Sequence, residues 1–370
     1  MHLAFALFRY FPFGGMQRDM LALAQLAARR GHRVTIYCHT WQGDRPSNVD
    51  VQVLEVPGKT NHGRARNFDR ALHEHLRRTQ PDVVFGGDKL SGLDFYFAAD
   101  PCFVTRTADR SALYRLTPRY RAFRELEGKV FAATSKTRIL LLDPREQANY
   151  EQTWQTPTER FTPLPPGIAR DRQKGADAAQ LRKQGRGELS IADDTVLLLL
   201  LAANFELKGL DRAMRALAAL PDEVRAKTRL LAVGAQPPPK LQQLATHLNI
   251  ADRVTMLDGR SDVPCLLQAA DVLVHPARRD TTGTVLLEAV AAELPVLCTA
   301  ACGFADHITT AKCGLVVSEP FTQATCDEQL RQMVTTDRGS MQAAARTYAQ
   351  EHDLHGMHDY VLDLVESNNC

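Results

Sequence analysis

The stretch Asp271-Val-Leu-Val-His-Pro276, followed closely by Asp280-Thr-Thr-Gly-Thr-Val-Leu-Leu-Glu288, decides the fold of this chain. Residues 271–276 contain an apolar run that is followed by the polar residue His275, and residues 285–292 are good helix formers. The stretch therefore predicts a strand, a loop and a helix. Asp280 then lies on the loop, and Glu288 lies one turn into the helix. Backbone N–H groups at the helix N-terminus point outward between the two acids and favour an anion. A phosphate attached to a sugar suits such a site.

The composition is that of a globular protein of 370 residues, a length that favours two domains. A net charge of +2 provides no general attraction to nucleic acid. No apolar run approaches the roughly 20 residues that a membrane-spanning helix needs. The start of the chain, Met1–Phe8, has no basic region or cleavage site, so we expect no signal peptide.

Apolar strands and amphipathic helices alternate along the chain and predict parallel sheets covered by helices. The strands predicted in the first half are Leu3–Phe8, Val34–Cys38, Val51–Val56, Val83–Gly86, Phe103–Thr105 and Val130–Ala133. Those predicted in the second half are Thr195–Ala203, Leu230–Gly234, Val254–Leu257, Val272–His275, Val296–Thr299 and Leu315–Val317. A linker rich in proline and charge, residues 164–188, separates the two halves.

This pattern predicts an α/β protein of two doubly wound, Rossmann-like domains that face each other across a cleft. We expect the first domain to comprise residues 1–168 and the second to comprise residues 169–353. The C-terminal segment, residues 354–370, is a candidate to complete the first domain.

Two loops after predicted strands have features of phosphate sites. In the loop before the first helix, Gly14 and Gly15 can take positive φ and allow a ligand to approach the backbone. A tight turn that requires glycine is the alternative, and the incomplete Gly-x-Gly-x-x-Gly pattern argues against a dinucleotide. In the loop 204–209, Lys208 is placed to reach a phosphate, unless it is an ordinary surface lysine. The loops of Lys208 and Asp280 leave the carboxyl ends of one sheet, where ligands bind.

The tract Arg106–Phe131 is basic and aromatic. Its charged residues are Arg106, Arg110, Arg115, Arg119, Arg121, Arg124 and Lys129 against Asp109, Glu125 and Glu127. It is either a solvated helix face or a surface for an anionic membrane or a phosphorylated acceptor, since each basic residue near such a membrane contributes about 1 kcal/mol. No nucleic-acid-binding motif accompanies the charge, so we expect no nucleic-acid partner.

The eight cysteines show no metal-ligand spacing, although Cys298, Cys302 and Cys313 come closest to a cluster. We expect them to be small buried hydrophobic residues in a reducing compartment.

With these residues assembled, the chain resembles the retaining glycosyltransferases of family 4, which have the GT-B fold. Within this family it is similar to the bacterial lipopolysaccharide core glucosyltransferases of type I, which move glucose from UDP-glucose to a heptose of the inner core. The stretches that carry the resemblance are Tyr10-Phe-Pro-Phe-Gly-Gly15, Gln17-Arg-Asp19, Thr60–Arg64, Gly92–Asp94, Tyr96–Asp100, Leu113–Thr117, Leu164–Ile168, Leu286–Ala289 and Glu319–Phe321. The first of these is specific, whereas the acid-x7-Glu spacing indicates only the broad family.

The resemblance implies that UDP-glucose is the donor. No Asp-x-Asp metal motif appears in a plausible cleft position, so we expect a reaction that needs no metal. Gly14 and Gly15 would approach the phosphates and the sugar, and Lys208 would neutralise the diphosphate. The backbone that also binds phosphate would be that of Thr282, Gly283 and Thr284. Asp280 would accept hydrogen bonds from glucose hydroxyls, and Glu288 would accept them from the ribose.

Asp100 would line the sugar and acceptor side of the cleft, and the Arg106–Phe131 tract would hold the enzyme at the cytoplasmic face of the inner membrane. Two positions depart from the family pattern. Asp280 stands where glutamate is usual, and no arginine precedes Lys208, so Arg172 is the candidate for the second phosphate-binding charge. The resemblance also implies front-face attack, with the departing phosphate accepting the acceptor's proton.

Three other functions remain open for these residues. A UDP-sugar epimerase has the same fold and needs no acceptor. A UDP-sugar-binding protein without catalysis would tolerate the shorter acid at position 280. An NAD oxidoreductase is opposed by the incomplete glycine pattern.

Overall fold

The structure, a computed structural model, describes residues 1–12, 14–234, 236 and 238–368. The chain divides into two compact units. The first contains Met1–Pro165 and the C-terminal residues from Gly356 onward, and the second contains Pro166–His355. Among the described residues, no helix is long and apolar enough to cross a membrane.

The first unit contains a parallel sheet of seven strands in the order β3-β2-β1-β4-β5-β6-β7. The strands are β1 (His2–Tyr10), β2 (Arg33–Trp41), β3 (Asp50–Val53), β4 (Val83–Gly86), β5 (Phe95–Ala98), β6 (Arg138–Leu141) and β7 (Phe161–Pro163). The helices are α1 (Gly15–Arg29), α2 (Asn61–Thr79), α3 (Phe103–Arg106), α4 (Ala112–Arg115), α5 (Pro118–Phe131) and α6 (Gln147–Trp154), with 3-10 turns at Pro144–Glu146 and Thr158–Arg160.

The second unit contains a parallel sheet of six strands in the order β10-β9-β8-β11-β12-β13. The strands are β8 (Val196–Ala202), β9 (Thr228–Gly234), β10 (Val254–Asp258), β11 (Val272–His275), β12 (Val296–Thr299) and β13 (Gly314–Val317). The helices are α7 (Ala178–Glu188), α8 (Leu210–Ala218), α9 (Asp222–Ala226), α10 (Pro239–His247), α11 (Val263–Ala269), α12 (Thr284–Ala291), α13 (Ala305–Ala311), α14 (Gln323–Thr335) and α15 (Gly339–Glu351), with 3-10 turns at Arg170–Arg172 and Ala251–Arg253.

The last helix, α16 (Met357–Asn368), packs on the first unit beside α1. Arg30, just after α1, forms ion pairs with Asp359 at 2.7 Å, with Asp363 at 2.6 Å and with Glu366 at 3.1 Å. Three acids on α16 therefore converge on one guanidinium, which fixes the register of α16 against α1.

Strand β1 shows why the first sheet is apolar throughout. Leu3, Phe5 and Leu7 point to one face, where they join the core that includes α1 and α16. Ala4 and Ala6 point to the other face, where they join the core that includes α2 and α5. Both faces are covered by helices, so the strand has no polar alternation.

Two strands predicted from the sequence are helical in the structure. Residues 103–105 belong to α3, and residues 130–133 comprise the end of α5 and the turn after it. At α3, the backbone N–H groups of Phe103 and Val104 donate to the Glu127 carboxylate at 2.6 and 3.2 Å, which satisfies the free donors of a helix start.

At the end of α5, tertiary packing overrides the strand preference of the apolar pair Val130-Phe131. Both side chains are fully buried in the core of the first unit. The Phe131 ring stacks on Tyr150 with the ring centroids 3.7 Å apart. The strands that follow β4 in the sheet are instead β5, β6 and β7, three short strands that the sequence did not predict.

Glu127 organises the loops at this end of the first sheet. Its side chain is fully buried, and it pairs with Lys89 at 2.5 Å. It also accepts a hydrogen bond from Trp154 Nε1 at 3.1 Å, in addition to the two from the start of α3. A buried carboxylate with this many partners is stable only while all of them remain.

We predict that Glu127→Ala lowers the unfolding free energy of the first unit by roughly 3–5 kcal/mol, because Lys89 loses its counter-charge in a buried position. Both tryptophans, Trp41 and Trp154, lie in this unit, so the midpoint of urea denaturation followed by tryptophan fluorescence reports on it selectively. Glu125→Ala is the matched control on the same helix. Its carboxylate is half exposed, so the loss should be about 0–1 kcal/mol. Equal losses for the two variants would contradict the prediction.

Candidate functional site

The second sheet has its switch point between β8 and β11, because the chain builds outward to β9 and β10 on one side and to β12 and β13 on the other. Loops that leave the carboxyl ends of the two central strands diverge there and form a crevice that binds ligands in doubly wound sheets. The loop with Lys208 follows β8, and the loop with Asp280 follows β11. The structure thus brings these two predicted residues to one place.

Backbone contacts join the two loops. Arg278 N donates to Leu207 O at 2.9 Å, and the Arg278 guanidinium donates to Glu206 O at 2.8 Å. Gly209 has φ of +77°, and a Cβ at this position would lie 2.0 Å from Pro276 O. Only glycine permits this conformation and this approach, so Gly209 sets the spacing of the two loops.

Lys208, Asp280 and His275 meet at one carboxylate oxygen. Lys208 Nζ lies 2.7 Å from Asp280 Oδ2, and His275 Nε2 lies 2.8 Å from the same oxygen. Burial favours the neutral form of Asp280, but the hydrogen bond from His275 and the charges of His275 and Lys208 outweigh burial and hold the pKa of Asp280 well below its ordinary value. Asp280 is therefore a carboxylate at neutral pH, and a poor acceptor of protons.

The backbone of the Asp280 loop is held by the loop after β12. Asp280 N donates to Ala301 O at 3.2 Å, Gly303 N donates to Asp280 O at 3.0 Å, and Phe304 N donates to Thr282 O at 2.6 Å. A Cβ on Gly303 would lie 2.0 Å from Thr281 O, so glycine is required there. These contacts fix the position of the acid before any ligand binds.

His275 and Gly303 have no role predicted from the sequence. His275 is only 1% exposed. The sequence contained a signal for it, since His275 is the polar residue that ends an otherwise apolar strand at its carboxyl end. No comparable signal marked Gly303, because its partner Thr281 becomes a neighbour only in the folded sheet.

Helix α12 begins immediately after the Asp280 loop and offers an anion site. Gly283, its N-cap residue, has φ of +76°, and no side chain caps the helix start. The hydroxyl groups of Thr282 and Thr284 lie 3.2 Å apart at this start. Leu286 N donates to Gly283 O at 2.8 Å, so the N–H groups of Thr284 and Val285 are the ones that suit an anion such as a phosphate.

Glu288 and Arg172 form a second pair in this unit. Glu288 lies in α12 and is 4% exposed. Arg172 Nε lies 3.5 Å from Glu288 Oε1, and Arg172 Nη1 lies 2.7 Å from an oxygen of Asp171. Arg172 is therefore a neighbour of the acid predicted to bind ribose, and its contacts here are with carboxylates. A phosphate-binding role for Arg172 stays a prediction.

One cluster has the composition of a metal site. Ligand atoms of His275, Asp280 and Cys302 all lie within 4.8 Å of one another. The cluster fits a metal ion poorly, because the Lys208 ammonium already lies against Asp280. In addition, burial and the nearby Asp280 charge raise the pKa of the Cys302 thiol to about 12, so a metal ion would have to displace a firmly held proton there.

The cysteines of the described chain are free and buried. They are Cys38, Cys102, Cys265, Cys298, Cys302, Cys313 and Cys326, whereas Cys370 lies outside the described residues.

In the first unit, the glycine loop differs from the prediction. Gly14 is extended, with φ of −85°, and Gly15 is the first residue of α1, so neither uses positive φ. A Cβ on Gly14 would lie 2.0 Å from Gln17 Oε1, whereas a Cβ on Gly15 would meet nothing within 4 Å. Gly15 therefore leaves open space at the start of α1. Phe13 of the same loop lies outside the described residues.

Asp100 lies after β5 and is exposed. Its backbone oxygen accepts a hydrogen bond from the Tyr150 hydroxyl at 2.8 Å, which holds the loop. The side chain lines a cavity of about 320 Å³ within the first unit. Asp100 thus belongs to the first unit with Gly14 and Gly15, while the other predicted site residues belong to the second.

Two parallel, Rossmann-like sheets, with a lysine and an acid held together at a switch point, define a glycosyltransferase of the GT-B class. Comparison with known proteins agrees with this class. Residues 13–172 match the model of glycosyltransferase family 4, and residues 182–352 match the model of glycosyl transferases group 1.

The lipopolysaccharide glucosyltransferase WaaG of Escherichia coli K12 is 40% identical over 368 residues, which cover 99% of this chain and 98% of WaaG. A crystal structure of WaaG superposes with a TM-score of 0.95 at 40% identity, over 98% of this chain and 99% of that one. The chain therefore belongs to this family of glycosyltransferases.

More distant relatives have the same architecture. The D-inositol 3-phosphate glycosyltransferase of Stackebrandtia nassauensis is 25% identical over 82% of this chain and 75% of its own length. The structure of HepE from Anabaena in complex with UDP and glucose has a TM-score of 0.75 at 16% identity, over 99% of this chain and 100% of that one. At this identity, the second likeness concerns the fold alone.

We predict that Lys208→Met lowers kcat/KM for glycosyl transfer by about 10²–10³, because the variant loses a preorganised charge at the switch point. The fold should survive, since Asp280 keeps its hydrogen bond to His275. Lys227→Met is the matched control: Lys227 pairs with Asp194 at 3.9 Å at the amino end of β9, the opposite edge of the sheet. Steady-state kinetics and thermal melting of both variants provide the measurement. Turnover of the Lys208 variant equal to that of the parent would contradict the assignment.

Proposed function

We propose that this protein transfers glucose from UDP-glucose to a heptose of the lipopolysaccharide inner core, with retention at the anomeric carbon. The observation that carries the proposal is the Lys208–Asp280 pair, held 2.7 Å apart at the switch point of the second sheet. The full-length similarity to a lipopolysaccharide glucosyltransferase supports both the donor and the acceptor class.

Each group of the donor has a candidate partner in the second unit. Lys208 and the first-turn N–H groups of α12 suit the diphosphate. Asp280 suits hydroxyls of the transferred glucose, because it is ionised and held in place. Glu288 suits the ribose hydroxyls, and Arg172, which lies beside it, suits a phosphate oxygen.

The reaction develops negative charge on the departing diphosphate, and the groups of this site stabilise that charge. When the bond from glucose C1 to the UDP oxygen breaks, negative charge develops on the diphosphate. Lys208 and the N–H donors of α12 stabilise that charge more in the transition state than in the ground state.

Asp280 is a poor candidate for nucleophile or general base. One of its oxygens is engaged by both Lys208 and His275, and its pKa is held well below the ordinary value. The departing phosphate is the better acceptor for the proton of the incoming hydroxyl, which places attack and departure on the same face of the sugar and retains the configuration. No step in this sequence requires a metal ion.

We expect the purified protein to transfer labelled glucose from UDP-glucose to core lipopolysaccharide that lacks glucose, with UDP released in equal amount. Parallel reactions with UDP-galactose test the donor sugar. Absence of label on the acceptor from a folded protein would contradict the proposal. Conversion of UDP-glucose to another UDP-sugar without acceptor would instead identify an epimerase, and donor binding without turnover would identify a binding protein.

We also propose that the Arg106–Phe131 tract holds the enzyme on the anionic cytoplasmic face of the inner membrane. In the structure the tract begins at Arg106, the last residue of α3, and contains α4 and α5. Leu113 and Leu116 are 75% and 62% exposed, more than any other large hydrophobic side chain of the described residues. Exposed leucines among arginines suit the surface of an anionic membrane, because the leucines enter the apolar acyl region and the arginines contact the anionic headgroups.

We predict that Leu113→Ser with Leu116→Ser weakens binding to phosphatidylglycerol-containing vesicles by about tenfold or more, since a leucine side chain removed from water contributes roughly 1.5–3 kcal/mol. Flotation with the vesicles measures the bound fraction. Tyr360→Ser on α16 is the control, because Tyr360 is 42% exposed and lies outside the tract. Undiminished flotation of the double variant would exclude these leucines as the anchor.

A further inference from the structure

The first sheet has a switch point of its own, between β1 and β4. The cavity of about 320 Å³ lies there, lined by Phe8 from β1, by Asp88 after β4 and by Asp100 after β5. Its volume is at the lower end of the roughly 300–1,000 Å³ typical of small-molecule sites. A ligand site at this position obeys the same rule that places the donor site in the second sheet.

Asp88 gives the cavity a preorganised acceptor of hydrogen bonds. Its Oδ2 accepts from Phe8 N at 2.6 Å, which fixes the carboxyl group against the end of β1. Burial raises the pKa of Asp88 to about 6, although the hydrogen bond from Phe8 opposes the shift. This partly exposed carboxylate lines the cavity and can accept a hydrogen bond from a hydroxyl group, and a sugar supplies one.

Two arginines line the cavity together with Asp88. Arg106 ends α3 and Arg119 lies in the first turn of α5. Their guanidinium groups lie over aromatic rings, Arg106 at 5.4 Å from the centre of Phe103 and Arg119 at 5.2 Å from the centre of Phe123. Within the described part of the chain, neither has an acid at ion-pair distance.

Lys89 provides a contrast, because it also lines the cavity but is neutralised by Glu127 at 2.5 Å. The two arginines thus keep planar N–H donors for a ligand, in the geometry that suits a phosphate or a carboxylate. Phe103 and Phe123 also line the cavity and add apolar surface to it, against which the C–H face of a sugar can pack.

We propose that this cavity binds an anionic sugar unit of the acceptor, with a hydroxyl at Asp88 and a phosphate or carboxylate group at Arg106 and Arg119. The identification of the ligand as part of the acceptor rests on the proposed function. The combination of an acid, two arginines and aromatic faces selects for a charged saccharide over a neutral one.

The first test measures binding of a lipid-free, negatively charged core oligosaccharide by calorimetry, without donor, so that neither catalysis nor membrane contributes. The double variant Arg106→Gln/Arg119→Gln should bind about tenfold more weakly or worse. The matched control, Arg70→Gln/Arg77→Gln, removes two exposed arginines of α2 that do not line the cavity, and its affinity should equal that of the parent. If the control loses as much affinity as the cavity variant, the arginines act only through the overall positive charge of the protein. That result would overturn the proposal.

The second test identifies the anionic group. The oligosaccharide is either treated with phosphatase or reduced at its carboxyl groups. Loss of the group that the arginines bind should weaken binding to the parent about tenfold and leave binding to the arginine variant unchanged. Equal affinity of the parent for the untreated, dephosphorylated and carboxyl-reduced sugars would overturn the proposal.

Asp88→Asn keeps the shape of the side chain and an oxygen for Phe8 N, so the fold should persist in thermal melting. It should weaken binding of the charged and the neutralised sugars alike, because the hydroxyl contact is independent of the anion. Unchanged affinity of this variant would remove Asp88 from the site.

The outcomes for this cavity and for the proposed function are separable. Binding of the charged sugar by a parent that transfers no glucose would contradict the proposed function and leave the cavity assignment standing. Glucose transfer with unaltered affinity in the arginine and Asp88 variants would contradict the cavity assignment alone.

Discussion

The site depends on one constraint: a parallel sheet brings the carboxyl ends of all its strands to one edge. Three strands, β9, β10 and β11, lie between Lys208 and Asp280 in the chain, yet the two residues meet because β8 and β11 are neighbours in the sheet. The first sheet repeats this arrangement with Phe8 and Asp88 at the ends of β1 and β4. Each unit thus brings together polar residues that are distant in sequence.

Burial raises the pKa of both acids at these switch points, Asp280 and Asp88, and nearby cations and hydrogen-bond donors lower it. The lowering prevails at Asp280 and the raising prevails at Asp88. At Asp280, His275 and Lys208 outweigh desolvation, so the carboxylate is stable and its pKa is low. At Asp88, desolvation prevails over the backbone hydrogen bond from Phe8 and the charges of Lys89 and Arg9, and the pKa rises to about 6. The first acid suits a fixed contact beside a diphosphate, and the second suits a contact that gains from a neutral hydroxyl donor.

The errors of sequence interpretation have a common cause. Residues 103–105 and 130–133 have the apolar, β-branched and aromatic composition of strands, but the Glu127 carboxylate caps one segment as a helix and stacking on Tyr150 holds the other. The missed strands β5, β6 and β7 have three or four residues each, as do β4 and β13, which were predicted, so length does not explain why they were missed. They are strands because they pair with neighbouring strands of the sheet. In all these cases the deciding contacts are long-range, so local preference does not determine the outcome.

The sequence by itself determined the two-domain α/β class, the loops that carry Lys208 and Asp280, and the position of Glu288 in a helix, because apolar periodicity and glycine placement are local properties. Only the tertiary structure decided that His275 contacts the same carboxylate oxygen as Lys208, that Gly209 lies against Pro276, and that Asp88, Arg106 and Arg119 line one cavity. These are contacts between separate strands and helices. Their distances follow from the order of strands in the sheet, which no local pattern of residues specifies.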